Sequence, residues 1–174
     1  MVASALFFVL LGCAVGSFGN VLILRFASGE PVTGRSHCTV CKRILSWFDL
    51  IPVVSYVLLR ARCRSCKASI SSQYPLVEVA TGALFLIALS RSLNDQIAAL
   101  MTAVLLAFLL FTAVFDARYQ RIPDLFSAVV GVLGLMLAYR HGTLFSASLG
   151  ALVSLVWFGG QWAISRGRWV GEGD

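Results

Sequence analysis

The chain has 174 residues, 59% of them hydrophobic and 13% charged, with a mean hydropathy of +0.86 and a formal net charge of +6. Such a balance lies far from soluble-domain averages, so it excludes an ordinary soluble globular domain and marks an integral membrane protein.

Residues 1–24 carry no charge, enough for the roughly 20 residues that a helix needs to cross a bilayer. A first span is expected over 1–26. It does not read as a cleaved signal peptide, because no basic segment precedes it and its first cation, Arg25, lies at the far end. Cys13 inside it reads as a small buried apolar residue.

Residues 27–73 form the long polar stretch of the chain, with Cys38-Thr39-Val40-Cys41 and, 21 residues on, Cys63-Arg64-Ser65-Cys66. Two intervening residues let both sulfurs of a pair point at one ion, and two such pairs complete a tetrahedron. The segment is expected to be a small zinc-binding loop domain with Cys38, Cys41, Cys63 and Cys66 as ligands; disulfides or a redox dithiol are the competing readings. Four thiolates close the coordination sphere, so the metal would order the loop without activating water. His37 beside the first pair reads as a surface or supporting residue. Trp47 and Phe48 suit a membrane interface. Asp49 reads as a loop cap or ion-pair partner, and Arg35, Lys42 and Arg43 as cations facing anionic headgroups.

Four more spans are expected over about 74–90, 96–115, 125–139 and 143–164. Glu78 is the sole charge inside the first of these and lies near its entry end. It reads as an interfacial residue that could also meet a substrate amino terminus. The fold class is therefore all-α: a polytopic membrane helix bundle of about five transmembrane helices, with the cysteine loop between the first and second. The expected domains are 1–26, 27–73 and 74–174.

Charge sets the orientation, because Lys and Arg accumulate in short cytoplasmic loops. Five spans put Arg25, the seven cations of the cysteine loop, Arg118, Arg121, Arg166 and Arg168 on one side, and only Arg91 and Arg140 on the other. Twelve against two predicts an outside amino terminus and a cytoplasmic cysteine loop. The net charge is thus a topology signal, and nucleic acid is not an expected partner.

Carboxylates at a membrane boundary are functional candidates by default. Asp116 ends one apolar run, and Asp174 closes Gly171-Glu172-Gly173-Asp174 after the last. They would approach each other if the spans over 96–115 and 143–164 pack together. Two close aspartates share one proton, so one can activate water toward an amide carbonyl while the other protonates the leaving amine. The plainer alternatives are that Asp124 after Pro123 caps a helix and that Asp116 pairs with Arg118 or Arg121. His37 and His141 fall on opposite sides of the membrane, so no Ser/His or Cys/His arrangement competes.

These residues carry a resemblance. Gly16-Ser17-Phe18-Gly19-Asn20-Val21 and Arg25, His37-Cys38-x-x-Cys41, Leu45-Ser46-Trp47-Phe48-Asp49-Leu50-Ile51-Pro52, Arg62-Cys63-x-x-Cys66 and Gln73-Tyr74-Pro75-Leu76-Val77-Glu78 follow one another in the order found in type IV prepilin peptidases. Asp116 with Ile122-Pro123-Asp124 resembles the first catalytic motif of that family, and Gly171-x-Gly173-Asp174 the second. Ala61 stands where the family commonly has glycine, and Gly19 where a larger apolar residue is frequent.

The resemblance implies an intramembrane aspartic peptidase of the Gly-x-Gly-Asp type. It implies Asp116 and Asp174 as the catalytic pair, with Asp124, Gly171 and Gly173 supporting it and the four cysteines as metal ligands. Its substrates would be prepilins or pseudopilins, whose short basic leader is removed on the cytoplasmic side of the bacterial inner membrane. S-adenosylmethionine would then methylate the new amino terminus. Inner-membrane lipid and the assembly proteins of pili or type II secretion are the further partners it implies. Family members continue into further helices beyond the second motif, so the chain is expected to be incomplete at its carboxyl end. An inactive zinc-bearing scaffold of the same family is the alternative. A presenilin-like peptidase shares the Gly-x-Gly-Asp motif but lacks the cysteine loop and the Ile-Pro-Asp element.

Overall fold

The computed structural model describes residues 2–166. Its helices are α1 (Val2–Ser28), the short α2 (Val54–Leu58), α3 (Gln73–Arg91), α4 (Gln96–Tyr119), α5 (Asp124–Arg140) and α6 (Leu144–Ser165), with one 3-10 turn over Trp47–Leu50. No β-strand occurs among the described residues, only two isolated bridges in the cysteine loop. Four helices, α1, α3, α4 and α6, are long and apolar enough to cross a membrane. The remaining expected span, α5, has 17 residues, about 26 Å of rise, at the short limit for a hydrocarbon core of about 30 Å.

Each turn has a local cause. Gly29 takes φ +69 just past α1 and Glu30 donates its N–H to the Arg25 carbonyl at 3.0 Å, the left-handed termination that glycine permits. Asp95 caps α4 by accepting the Ala98 N–H at 2.9 Å, and its other oxygen takes Arg140 at 2.6 Å across to the end of α5. Gln120 closes α4 in the left-handed region, and Pro123 opens α5.

The core begins where α1 meets α3. A Cβ on Gly12 would lie 2.8 Å from the Gly82 Cα, and one on Gly16 2.8 Å from the Glu78 Cα, so the backbones touch where no side chain fits. Cys13 fills the space over Gly82. Buried Asn20 donates to the carbonyls of Gly16 and Tyr74 and accepts from the Gln73 amide at 3.1 Å. Gly19 faces the ring of Phe111 on α4, and no Cβ could be added there without displacing that ring. Along α4 the buried residues Ala99, Ala103, Ala107, Phe111 and Phe115 recur every four positions and turn one narrow face inward. Phe126 of α5 sits among Phe26, Phe108 and Phe115. α6 rests against α5 and buries only Ser165.

Because α1, α3, α4 and α5 alternate in direction, the ends of α1 and α4 and the starts of α3 and α5 share one face. The cysteine loop lies on that face.

Candidate functional site

The cysteine loop is built from two copies of one small unit. In the first, Cys38 accepts from the Lys42 N–H at 2.9 Å and donates its own N–H to the Arg43 carbonyl at 2.9 Å. In the second, Cys63 accepts from Lys67 at 3.1 Å and donates to Ala68 at 2.8 Å. His37 bridges Ile44 in one and Arg62 bridges Ser69 in the other. Lys42 and Lys67 both take left-handed φ, +57 and +59, to turn the chain after each pair. The four sulfurs fall within 4.8 Å of one another, and Cys38 and Cys66 are 3.8 Å apart. Zinc–sulfur bonds of about 2.3 Å in a tetrahedron place sulfurs about 3.8 Å apart, so the donors fit one metal ion.

The local backbone favours thiolates. N–H groups of Cys66 and Ser65 bring the Cys63 thiol down to about 6, and those of Cys41 and Val40 lower that of Cys38. Cys66 receives the Ala68 N–H, but burial and the neighbouring sulfurs Cys41, Cys63 and Cys38 push it up to about 11. Four crowded sulfurs cannot all lose their protons without a cation between them.

The loop is moored to the bundle at two points, through Arg25 and Glu78, and braced within itself by Arg64. The buried Arg25 guanidinium donates to the carbonyls of Pro31, Val32, Thr33, Gly34 and Arg35 and folds residues 29–35 over the end of α1. Arg64 grips the Asp49 carboxylate at 2.9 Å and stacks over Phe48, its carbon 4.9 Å from the ring centre. Glu78 accepts the Val53 N–H at 2.7 Å. Asp49 is thus an ion-pair partner, and its carboxylate also reaches the Ser46 N–H at 3.4 Å. Under the loop, between α1 and the start of α3, lies a cavity of about 330 Å³.

Asp116 is exposed in the last turn of α4, and Asp124 is the exposed first residue of α5, with Pro123 in the cap position. Neither forms an ion pair among the described residues; Arg118 and Arg121 do not engage Asp116. Tyr74 at the start of α3 lies close enough to both Cys38 and Arg118 to interact electrostatically with each, so the loop and the end of α4 flank the same residue. Gly171, Gly173 and Asp174 lie outside the described residues. α6, which leads toward them, has its main contact with α5 and not with α4.

The two Cys-x-x-Cys pairs expected from the sequence extend to a repeated Cys-x-x-Cys-Lys at 38–42 and 63–67. Arg25 as a loop clamp and Glu78 as the acceptor of Val53 had no such signal, because backbone atoms are their partners.

A family model described as the bacterial peptidase A24 N-terminal domain matches residues 10–92. A prepilin leader peptidase/N-methyltransferase of Myxococcus xanthus is 37% identical over 98% of this chain and 52% of its own length. A type 4 prepilin-like proteins leader peptide-processing enzyme of Escherichia coli is 35% identical over 94% of this chain and 70% of its own. In Neisseria gonorrhoeae a prepilin leader peptidase/N-methyltransferase is 34% identical over 82% and 59% respectively. The chain thus spans from about half to seven tenths of the length of these relatives. No solved structure matches it.

Proposed function

The chain belongs to the prepilin leader peptidase/N-methyltransferase family, and from that premise we propose that it is an aspartic endopeptidase of the bacterial inner membrane. It removes the short basic leader of prepilins or pseudopilins at the cytoplasmic face and methylates the new amino terminus from S-adenosylmethionine. The observation that carries this reading is Asp116: an exposed carboxylate at the end of a membrane-spanning helix, on the same face as the cysteine loop. A substrate with a basic leader and an apolar first helix would lie in the membrane and offer its cut site at that height.

In this reading Asp116 and Asp174 share a proton. The ionised member takes a proton from water, the water attacks the scissile carbonyl, and the protonated member gives its proton to the leaving amine. Asp124, Gly171 and Gly173 support the pair, the glycines by allowing close approach of an extended chain. Zinc on Cys38, Cys41, Cys63 and Cys66 orders residues 27–73 and takes no part in cleavage, because four thiolates leave no position for water. The arrangement 1–26, 27–73 and 74–174 then divides the chain into an anchor, a loop domain and a peptidase region. The excess of cations on the loop side supports a cytoplasmic orientation.

Co-expression of the 174-residue chain with a prepilin, read by the gel shift of leader removal, tests the proposal. The unsubstituted chain cleaves, and Asp116→Asn does not. Uncleaved prepilin with the unsubstituted chain would overturn the reading in favour of a zinc-bearing scaffold.

A further inference from the structure

Of the three carboxylates that line the cavity under the loop, two face a cation among the described residues and one does not. Arg25 is spent on five carbonyls, Arg64 holds Asp49, Arg43 reaches the Ser65 hydroxyl, and His37 faces Glu30 at 4.0 Å. Glu78 remains. It is only 6% exposed, and among the described residues no Lys, Arg or His comes within ion-pair distance of it. The Val53 N–H and the nearby Ser17 hydroxyl orient the carboxylate without neutralising it.

Its position is enforced from both sides. Gly16 lets α3 approach until the Glu78 Cα lies 2.8 Å from where a Cβ would stand, too close for one to fit. Val53 delivers its N–H from φ +61, a conformation that strains a β-branched residue. Strain of this kind persists only where surrounding structure imposes it, and it gathers at ligand clamps. Beside these charges the wall has apolar surface from Val21, Leu24 and Leu59 and aromatic surface from Tyr56 and Tyr74, and the volume is that of a small-molecule site. A buried carboxylate without a counter-ion in such surroundings is costly, and a bound cation relieves that cost.

We infer that this cavity binds an organic cation, a compact positive group on an apolar or aromatic body, with Glu78 as its counter-ion. Two molecules of the proposed reaction carry that chemistry: the sulfonium methyl donor and the freed amino terminus of the processed chain. Which of them enters rests on the proposed function. The selectivity for positive charge rests on the cavity alone.

The test is calorimetric binding to the zinc-loaded full chain in detergent, in two arms. One compares S-adenosylmethionine with its neutral thioether, S-adenosylhomocysteine. The other compares a short peptide having an apolar first residue and a free amino end with the same peptide acetylated. In at least one arm the cation binds about tenfold tighter than its neutral twin, and Glu78→Gln brings the ratio near unity with zinc content unchanged. The arm that discriminates names the source. No binding in either arm, equal binding of both twins in both arms, or full discrimination retained by Glu78→Gln would overturn the inference. The twins decide the matter in the unsubstituted chain even if the variant misfolds. Charge selectivity in a chain that leaves prepilin uncut would count against the peptidase reading and not against the cavity.

Discussion

The joint between α1 and α3 and the face between α5 and α6 are both helix contacts in one bundle, yet they are made differently. At the first, backbones touch at Gly12, Gly16 and Gly82, buried amides link across at Asn20 and Gln73, and the adjoining loop is moored by Arg25 and Glu78. On the helices of the second, a Cβ at Gly131, Gly150, Gly159 or Gly160 would meet nothing within 4 Å among the described residues, and α6 presents Leu152, Leu155, Val156 and Trp157 outward. Glycine therefore means close approach in one region and nothing of the kind in the other. A membrane helix without a water-driven reason to bury apolar side chains packs tightly only where small residues and polar links allow it. The family model matches residues 10–92, the half with the tight joint.

Metal removal is the strongest way to break this contrast. Chelation, or Cys63→Ser, should release the bound ion and unfold residues 36–70, since structural zinc sites supply on the order of 10 kcal/mol of folding energy. Trypsin should then cut at Arg43, Arg60 or Arg62 while the helical circular dichroism of the bundle persists. Glycine substitutions sharpen the contrast next. Gly19→Ala should cost about 1–3 kcal/mol, because Phe111 must move, whereas Gly150→Ala on α6 should be neutral or stabilise by up to about 1 kcal/mol; unfolding in mixed detergent reads both. Equal effects would erase the distinction.

A smaller effect is expected at Ala61. It takes φ +57 directly after Arg60 at φ +51, the left-handed region that glycine enters freely. Ala61→Gly should steady the loop by about 1 kcal/mol, seen as slower proteolysis between the two cysteine pairs. The smallest concerns Asp95. The Ala98 N–H first, and Arg140 with it, hold its carboxyl below the usual carboxylate range. A depressed carboxyl contributes stability above its unfolded value and loses it as pH falls through the folded one, here below about pH 4. Asp95→Asn should therefore lower the melting temperature by about a degree at pH 7 and by less at pH 3.

Much of this was legible because it was local. The knuckles need only two intervening residues, and the apolar runs announce helices through composition alone. The span expected over 96–115 runs on to Tyr119, since charges at a membrane edge end an apolar run without ending a helix. The short helices Trp47–Leu50 and Val54–Leu58 gave no periodic signal. Gly19 and Ala61 acquire opposite meanings only in three dimensions. The first is complemented by Phe111, and the second is held in a left-handed turn without the residue that suits it. Glu78 was visible as an unusual charge, but its partner Val53 lies 25 positions away and offers a backbone atom that no sequence pattern records.

The central claim is that metal and cleavage are separate: the cysteines order a loop and Asp116 serves the cut. Zinc content and leader removal measured together on purified Asp116→Asn test it most directly. The account predicts one zinc per chain with no cleavage. A variant that retains its zinc and still removes the leader would contradict it.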